Sequence, residues 1–577
     1  MNSIFMKIIL LINLIMQRSF VGSVPSKMTK LRDDAQEQLF YAKDIDLIDT
    51  CILASNGAVY IMDDVYGPAD FTSVTSPAYI SKTNRVIKWA IYDESKMGLN
   101  YYAYLKAMQS EFTFLLPSDS AMLYYYDPVS FKSSNCCRVV EFAFNSSLPK
   151  TVCKQYVPAT GEIKNKLVGA NASMVEGEIT NRLKDILESH TIVHDGTNPI
   201  DGEDEYFRSK NGTPLKVVRN SEGKIEAVLG GLQLENQRQG LVSENPGIEL
   251  CKVTRAYEEC KNGQTYILNS PIIPTYRSVY SILTREYESK KEAEEGGEEV
   301  DEYAKNPYLR FYELCKSDDY KDIIIGCGLV DENLKESEKN AAMKKYLIFF
   351  DDKGLDYNIQ FFSNYHYTAF IPTNEAIEEA IANGLPTWEE IKADYDSNRK
   401  IIWDEITEDS VASDSLRTTE DSLRIQAKIS YLTNFIRYHF ADNSVFTDRT
   451  EMPENEMVTG SYDSDKGLFC KLYIDRKKDG EYAVLRVRDG NEGSQMIPTV
   501  GERNILARDV SCTVKPTSLM SKVTLEASSS CVIHSIDGVL NHTELVDGKH
   551  NIVWETPEQA KKYLKRYGTL LNFDHHE

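Results

Sequence analysis

Chemistry in this sequence would have to start from carboxylates, imidazoles or phenols. Asp63 and Asp64 are adjacent carboxylates, and a carboxylate pair is what glycoside hydrolysis requires. On a strand, neighbouring side chains point to opposite faces, so these two cannot flank one bond. His190, His439 and His534 are candidate bases, but each sits among apolar residues at core spacing. The expected role is a buried, hydrogen-bonded histidine that ties helix to strand. Asp463, Asp465 and Gly467 have the opening of a calcium loop without its bidentate Glu, so a hairpin turn is expected there. His575 and His576 are a terminal pair rather than a metal site. The sequence has no GxSxG elbow, HExxH, Walker A pattern or GxGxxG after a strand. No catalytic, cofactor-binding or metal residue is therefore assigned, and the expectation is a protein that is not an enzyme.

Binding has more support. The chain holds 34 Tyr, with runs at Tyr101-Tyr102-Ala103-Tyr104 and Tyr124-Tyr125-Tyr126. Aromatic platforms suit sugar rings and protein contacts. Tyr124, Tyr125 and Tyr126 are the candidate ligand surface, with ordinary helix packing as the alternative.

The elements that position these residues recur along the chain. Phe112-Thr113-Phe114-Leu115-Leu116-Pro117-Ser118-Asp119 matches Tyr367-Thr368-Ala369-Phe370-Ile371-Pro372-Thr373-Asn374. Each is a short apolar strand, a Pro that stops it, and helix N-cap residues. Downstream, Leu183, Ile186, Leu187 and His190 share one helical face, as do Leu432, Phe435, Ile436 and His439. A turn and buried strand then appears three times, around Tyr60, Tyr266 and His534, each ending in a polar Asp63, Asn269 or Asp537. Order is kept in both long copies, the signature of internal repetition.

These segments resemble the fasciclin domain. The cap segment is similar to its first signature, the helix to its Tyr-His element, and the last strand to its second signature. Tyr60, Tyr266 and Asn269 depart from that pattern. The resemblance implies an α+β fold of tandem fasciclin-like domains, each a twisted β-sandwich or wedge with a helical cap. It divides the chain into 28–75, a partial domain with C-terminal strands only, 78–277, and 278–547 with an acidic insertion. The tail is 548–577, with a helix from Pro557 to Tyr567. The stub needs packing, an upstream start or a partner chain to complete its core. In animal members an Asp-Ile dipeptide before an Asn-Gly turn is implicated in integrin contact. Here Cys51 stands in place of the Asp, so that role is not carried over. Long insertions also resemble Bacteroidota-type fasciclin proteins, accessory to outer-membrane uptake of glycans or nutrients. The resemblance thus implies a non-catalytic cell-surface adhesion or protein-interaction protein, or such an uptake component. A surface protein or glycan would be the partner.

Bulk properties fit this reading. The 577 residues are 42% hydrophobic and 27% charged, and the net charge of −23 argues against nucleic acid as a partner. The 11 Cys include no CxxC pair, so mostly buried thiols with one or two bridges are expected. Residues 1–23 have a lysine, an apolar run and small residues in the order of a secretory signal peptide, with a buried helix as the alternative. No later stretch is apolar enough for a transmembrane helix. Glu286 to Glu302 and Asp394 to Glu420 are polar and expected to be exposed excursions.

Overall fold

The computed structural model describes residues 48–570 except 56, 63–68, 94–96, 98–100, 108–109, 133–136, 146–147, 158–161, 195–199, 201–204, 239–250, 285–305, 351–356, 363–365, 405–408, 448–454, 480–481 and 517–520. The expected signal segment, Asp63, Asp64, the acidic insertion Glu286 to Glu302 and the terminal histidine pair lie outside the described residues. Helices and several sheets give an α+β fold in two compact units. One comprises the chain to Pro274 with Val514–Thr524, the other Thr275–Thr513 with the chain from Leu525.

The first unit is centred on the strand Glu111–Pro117. Its apolar run is buried along nearly its whole length, as a strand covered on both faces must be. It pairs in parallel with Gly263–Leu268 and antiparallel with Thr191–His194. Cys251–Cys260 then joins the far side of Gly263–Leu268, followed by Ile225–Leu229, Pro214–Arg219 and Tyr206–Arg208. A bridge between Ile192 and Ser209 curls this seven-stranded sheet back on itself. A separate four-stranded sheet starts at Tyr125–Tyr126 and continues through Arg138–Asn145, Leu148–Val157 and Glu162–Lys166. The helices Arg85–Tyr92 and Glu176–Ser189 pack with it around Phe114, Leu116, Phe142, Ile186 and Leu187.

The second unit repeats the central arrangement. His366–Pro372 is likewise buried and pairs in parallel with the end of Ser521–Ile536 and antiparallel with Phe440–Asp442. Ile505–Pro516 lies beyond the last strand, as Cys251–Cys260 does in the first unit. The other strands, Glu456–Asp463, Leu468–Asp479, Tyr482–Asp489 and Ile497–Pro498, extend from Phe440–Asp442. A bridge between Thr499 and Ile536 closes this sheet too. In both units the extra strands come from the same place in the chain order, between the strand after the long helix and the penultimate strand.

One expectation needs correction. No cap helix follows Ser118-Asp119; a 3-10 turn, Ala121–Leu123, does, and the chain then enters the four-stranded sheet. Asp119 is drawn elsewhere, accepting from the Val86 N–H at 3.1 Å and Arg85 Nε at 3.1 Å at the start of Arg85–Tyr92. In the second unit Thr373 does cap Asn374–Ala382. Residues 69–75, at the end of the expected partial domain, pack into the core of the first unit. Val74 is buried in its core and its N–H donates to Asn262 Oδ1 at 2.9 Å, while Thr265 Oγ1 donates to the Val74 carbonyl at 2.6 Å. The described residues of Asp394 to Glu420 are largely exposed, as expected, and they are regular in structure. They hold the last turn of the helix Trp388–Ser397, whose N-terminus carries a Thr387–Glu390 capping box, and the hairpin Arg399–Asp404 with Asp409–Leu416. The nine cysteines with described side chains are all free thiols, six of them buried.

Candidate functional site

The paired histidines do the same job twice. His190 closes the helix Glu176–Ser189, where its Nδ1–H donates to the Ile186 carbonyl at 2.7 Å. Its Nε2 accepts from the Ile272 N–H at 2.9 Å, four residues beyond the last strand. His439 closes Thr419–Tyr438, donating to the Phe435 carbonyl at 2.9 Å and accepting from the Leu540 N–H at 3.0 Å. Leu540 is again four residues beyond the last strand. A carbonyl only accepts and a backbone N–H only donates, so both rings must be neutral Nδ1–H tautomers. Burial agrees, pushing each pKa down to about 4. His534 spans loop and strand, contacting the Val445 carbonyl through Nε2 at 2.9 Å and accepting from the Asn504 N–H through Nδ1 at 3.3 Å. All three are latches, and none is placed as a base.

The candidate aromatic platform is not exposed. Tyr125 and Tyr126 are only 5% and 4% accessible, and Tyr124 is half-buried. Tyr125 meets Phe142 and Tyr126 meets Tyr156 edge to face. The reason is the next residue. Asp127 is fully buried and accepts from Arg138 Nε at 2.7 Å and Arg182 Nε at 2.8 Å, which fixes this stretch inside the unit. Burial alone would raise the Asp127 pKa, but the two guanidinium groups outweigh it and hold the carboxyl below its usual range. In the other run, Tyr101 is buried and Lys106 lies over the Tyr102 ring at 3.4 Å. Asp463 forms no calcium loop either. Its carboxylate is gripped by Arg566 through Nε at 3.1 Å and Nη2 at 2.7 Å beside a hairpin turn.

Two features that the sequence did not single out stand on the surface of the second unit. The hairpin Arg399–Leu416 exposes three consecutive apolar residues, Ile401, Ile402 and Trp403, at 56%, 44% and 64%. Among the described strands these two pair only with each other. The base is fixed by Arg399, which donates through Nε to the Ser413 carbonyl at 2.6 Å and through Nη2 to Asp414 at 2.8 Å. A signal was present, because Ile-Ile-Trp interrupts an otherwise polar stretch.

The second feature is a groove of about 550 Å³ between the hairpin Glu456–Asp479 and the helix Pro557–Tyr567. The helix is held by Asn434 Nδ2, which donates to the Tyr567 carbonyl at 2.9 Å, and by buried Ala560, Tyr563 and Tyr567. Its other side brings Gln559, Lys562 and Arg566 to the groove at helical spacing. Lys466, Lys471, Phe469 and Tyr473 line the opposite wall. His542 also lines it at 6% exposure; its Nε2 shares a hydrogen bond with the Tyr563 hydroxyl at 2.8 Å, and its Nδ1 has no partner.

Comparison with known proteins gives little. No family model matches the chain, and no curated protein matches it. One solved structure that aligns is a FAS1 domain pair from the insect cell adhesion molecule fasciclin I, at 13% identity, covering 80% of this chain and 96% of that one. The TM-score is 0.19, so the alignment adds no weight to the topology described above.

Proposed function

We propose that this chain is a non-catalytic, extracytoplasmic surface protein built on tandem fasciclin-like domains, acting by adhesion or protein contact. The observation that carries the reading is the hairpin Arg399–Leu416. Burying an exposed apolar side chain stabilises a contact by roughly 1.5–3 kcal/mol, and an exposed Trp is the residue type most often dominant in interfaces. Folding alone gives no reason to leave Ile401, Ile402 and Trp403 in water. The His439 latch ties helix to strand within the unit that carries the hairpin.

The test is capture of the native cells by beads coated with the intact chain. The expected result is strong capture that falls to background with Ile401→Ser/Trp403→Ser, while the melting temperature is unchanged. Equal capture by parent and variant refutes the hairpin as the contact. Surface labelling of Lys392 in living cells checks the location. A second reading is favoured by the groove: an accessory binding component of outer-membrane glycan or nutrient uptake.

A further inference from the structure

We infer that the groove beside the helix Pro557–Tyr567 is a binding site for an acidic saccharide, a short oligosaccharide carrying uronate carboxylates. This deepens the second reading by naming what the groove holds, and it does not depend on the hairpin.

Charge is the first argument. The whole chain has 65 basic residues against 88 acidic ones. Among the residues lining the groove the balance reverses: Lys466, Lys471, Lys562 and Arg566 stand with Asp463 and Glu544. Arg566 is committed to Asp463 by its two-pronged contact, and Lys471 is paired with Glu456 at 2.5 Å. Lys466 reaches Asp463 only at 3.9 Å from a side chain 71% exposed, and Lys562 is exposed on the helix. These two lysines are the cations available to an incoming carboxylate.

Shape and polarity decide the ligand class. A volume of about 550 Å³ lies within the range of small-ligand sites, roughly 300–1,000 Å³. Phe469 and Tyr473 give the wall apolar surface of the kind that packs on sugar rings. Asn551, Gln559 and Thr543 bring amide and hydroxyl groups that both donate and accept, as vicinal sugar hydroxyls require. A phosphate cradle is built differently, from convergent backbone N–H groups on a glycine-rich turn. Gly490 is the single glycine in this lining.

Calorimetric titration of the intact chain tests the assignment without any transporter, so a failed uptake role and a failed site are told apart. The probes are oligogalacturonate, its methyl ester, and inorganic phosphate. Saturable binding of oligogalacturonate is expected, weakening with added salt as exposed charge pairs do. The methyl ester, and the variant Lys466→Gln/Lys562→Gln with the acid, are each expected to bind roughly tenfold more weakly. Both lysines are exposed, so the variant is expected to keep its melting temperature. Tyr473→Ala is expected to weaken acid and ester alike. Equal binding of acid and ester, parent-like binding by the double lysine variant, or a response to phosphate with none to oligogalacturonate overturns the proposal.

Discussion

The two latch histidines carry charge-dependent stability, and the sign follows from their bonding. Each ring accepts a backbone N–H at Nε2, so protonation there would replace an acceptor with a second donor. The folded rings stay neutral down to about pH 4, whereas an unfolded histidine takes up its proton near pH 6.5. Between those values the unfolded state binds more protons, so stability is full above about pH 6.5 and falls as pH drops toward 4. Each ring contributes about 1.4 kcal/mol of loss per pH unit across the window. Urea unfolding at pH 7 and pH 5 is expected to show the decline, with a shallower one in His439→Ala. Asp127 is a second test at this scale. Asp127→Asn leaves Arg182 buried without its counter-charge and is expected to cost about 3–5 kcal/mol, measured by chemical unfolding. The structural role of the histidines was legible from their apolar neighbours. The burial of Tyr125 and Tyr126 was not, because Asp127 and Arg182 are 55 residues apart and nothing local announces their pairing.

Elements that depend on local patterns were legible, and those that depend on distant pairing were not. The strands Glu111–Pro117 and His366–Pro372 announced themselves as apolar runs ended by proline, and Pro557 marked the last helix. The four-stranded sheet of the first unit did not, since its pairing with Tyr125–Tyr126 overrides the helix-start residues Ser118 and Asp119. Asp119 instead serves the start of Arg85–Tyr92, and Asp119→Ala is expected to lower the stability of the first unit by about 1 kcal/mol. Thr387→Ala, which removes one half of a capping box, has a similar expected cost of about 1 kcal/mol in the second unit. The hairpin Arg399–Leu416 had only Ile401-Ile402-Trp403 as a local signal within a mostly polar stretch. Its strands bond to each other through backbone groups that any sequence supplies.

Among the described residues one central arrangement is used twice. A central parallel pair, a flanking strand reached through a helix ending in His, and a penultimate strand on the far side recur in both units. The strands added to each central sheet enter between the same two elements, whereas the four-stranded sheet of the first unit and the hairpin Arg399–Leu416 enter before the long helix. The described residues include no helix long and apolar enough to cross a membrane. What distinguishes the second unit is its apolar hairpin, and the account stands or falls on whether that hairpin meets a partner. The most direct measurement places a photo-crosslinking residue at position 403 of the intact chain, on living native cells. A discrete crosslinked partner, absent when the probe sits at exposed Lys392, is predicted. Indistinguishable crosslinking at the two positions, or none at 403, would contradict it.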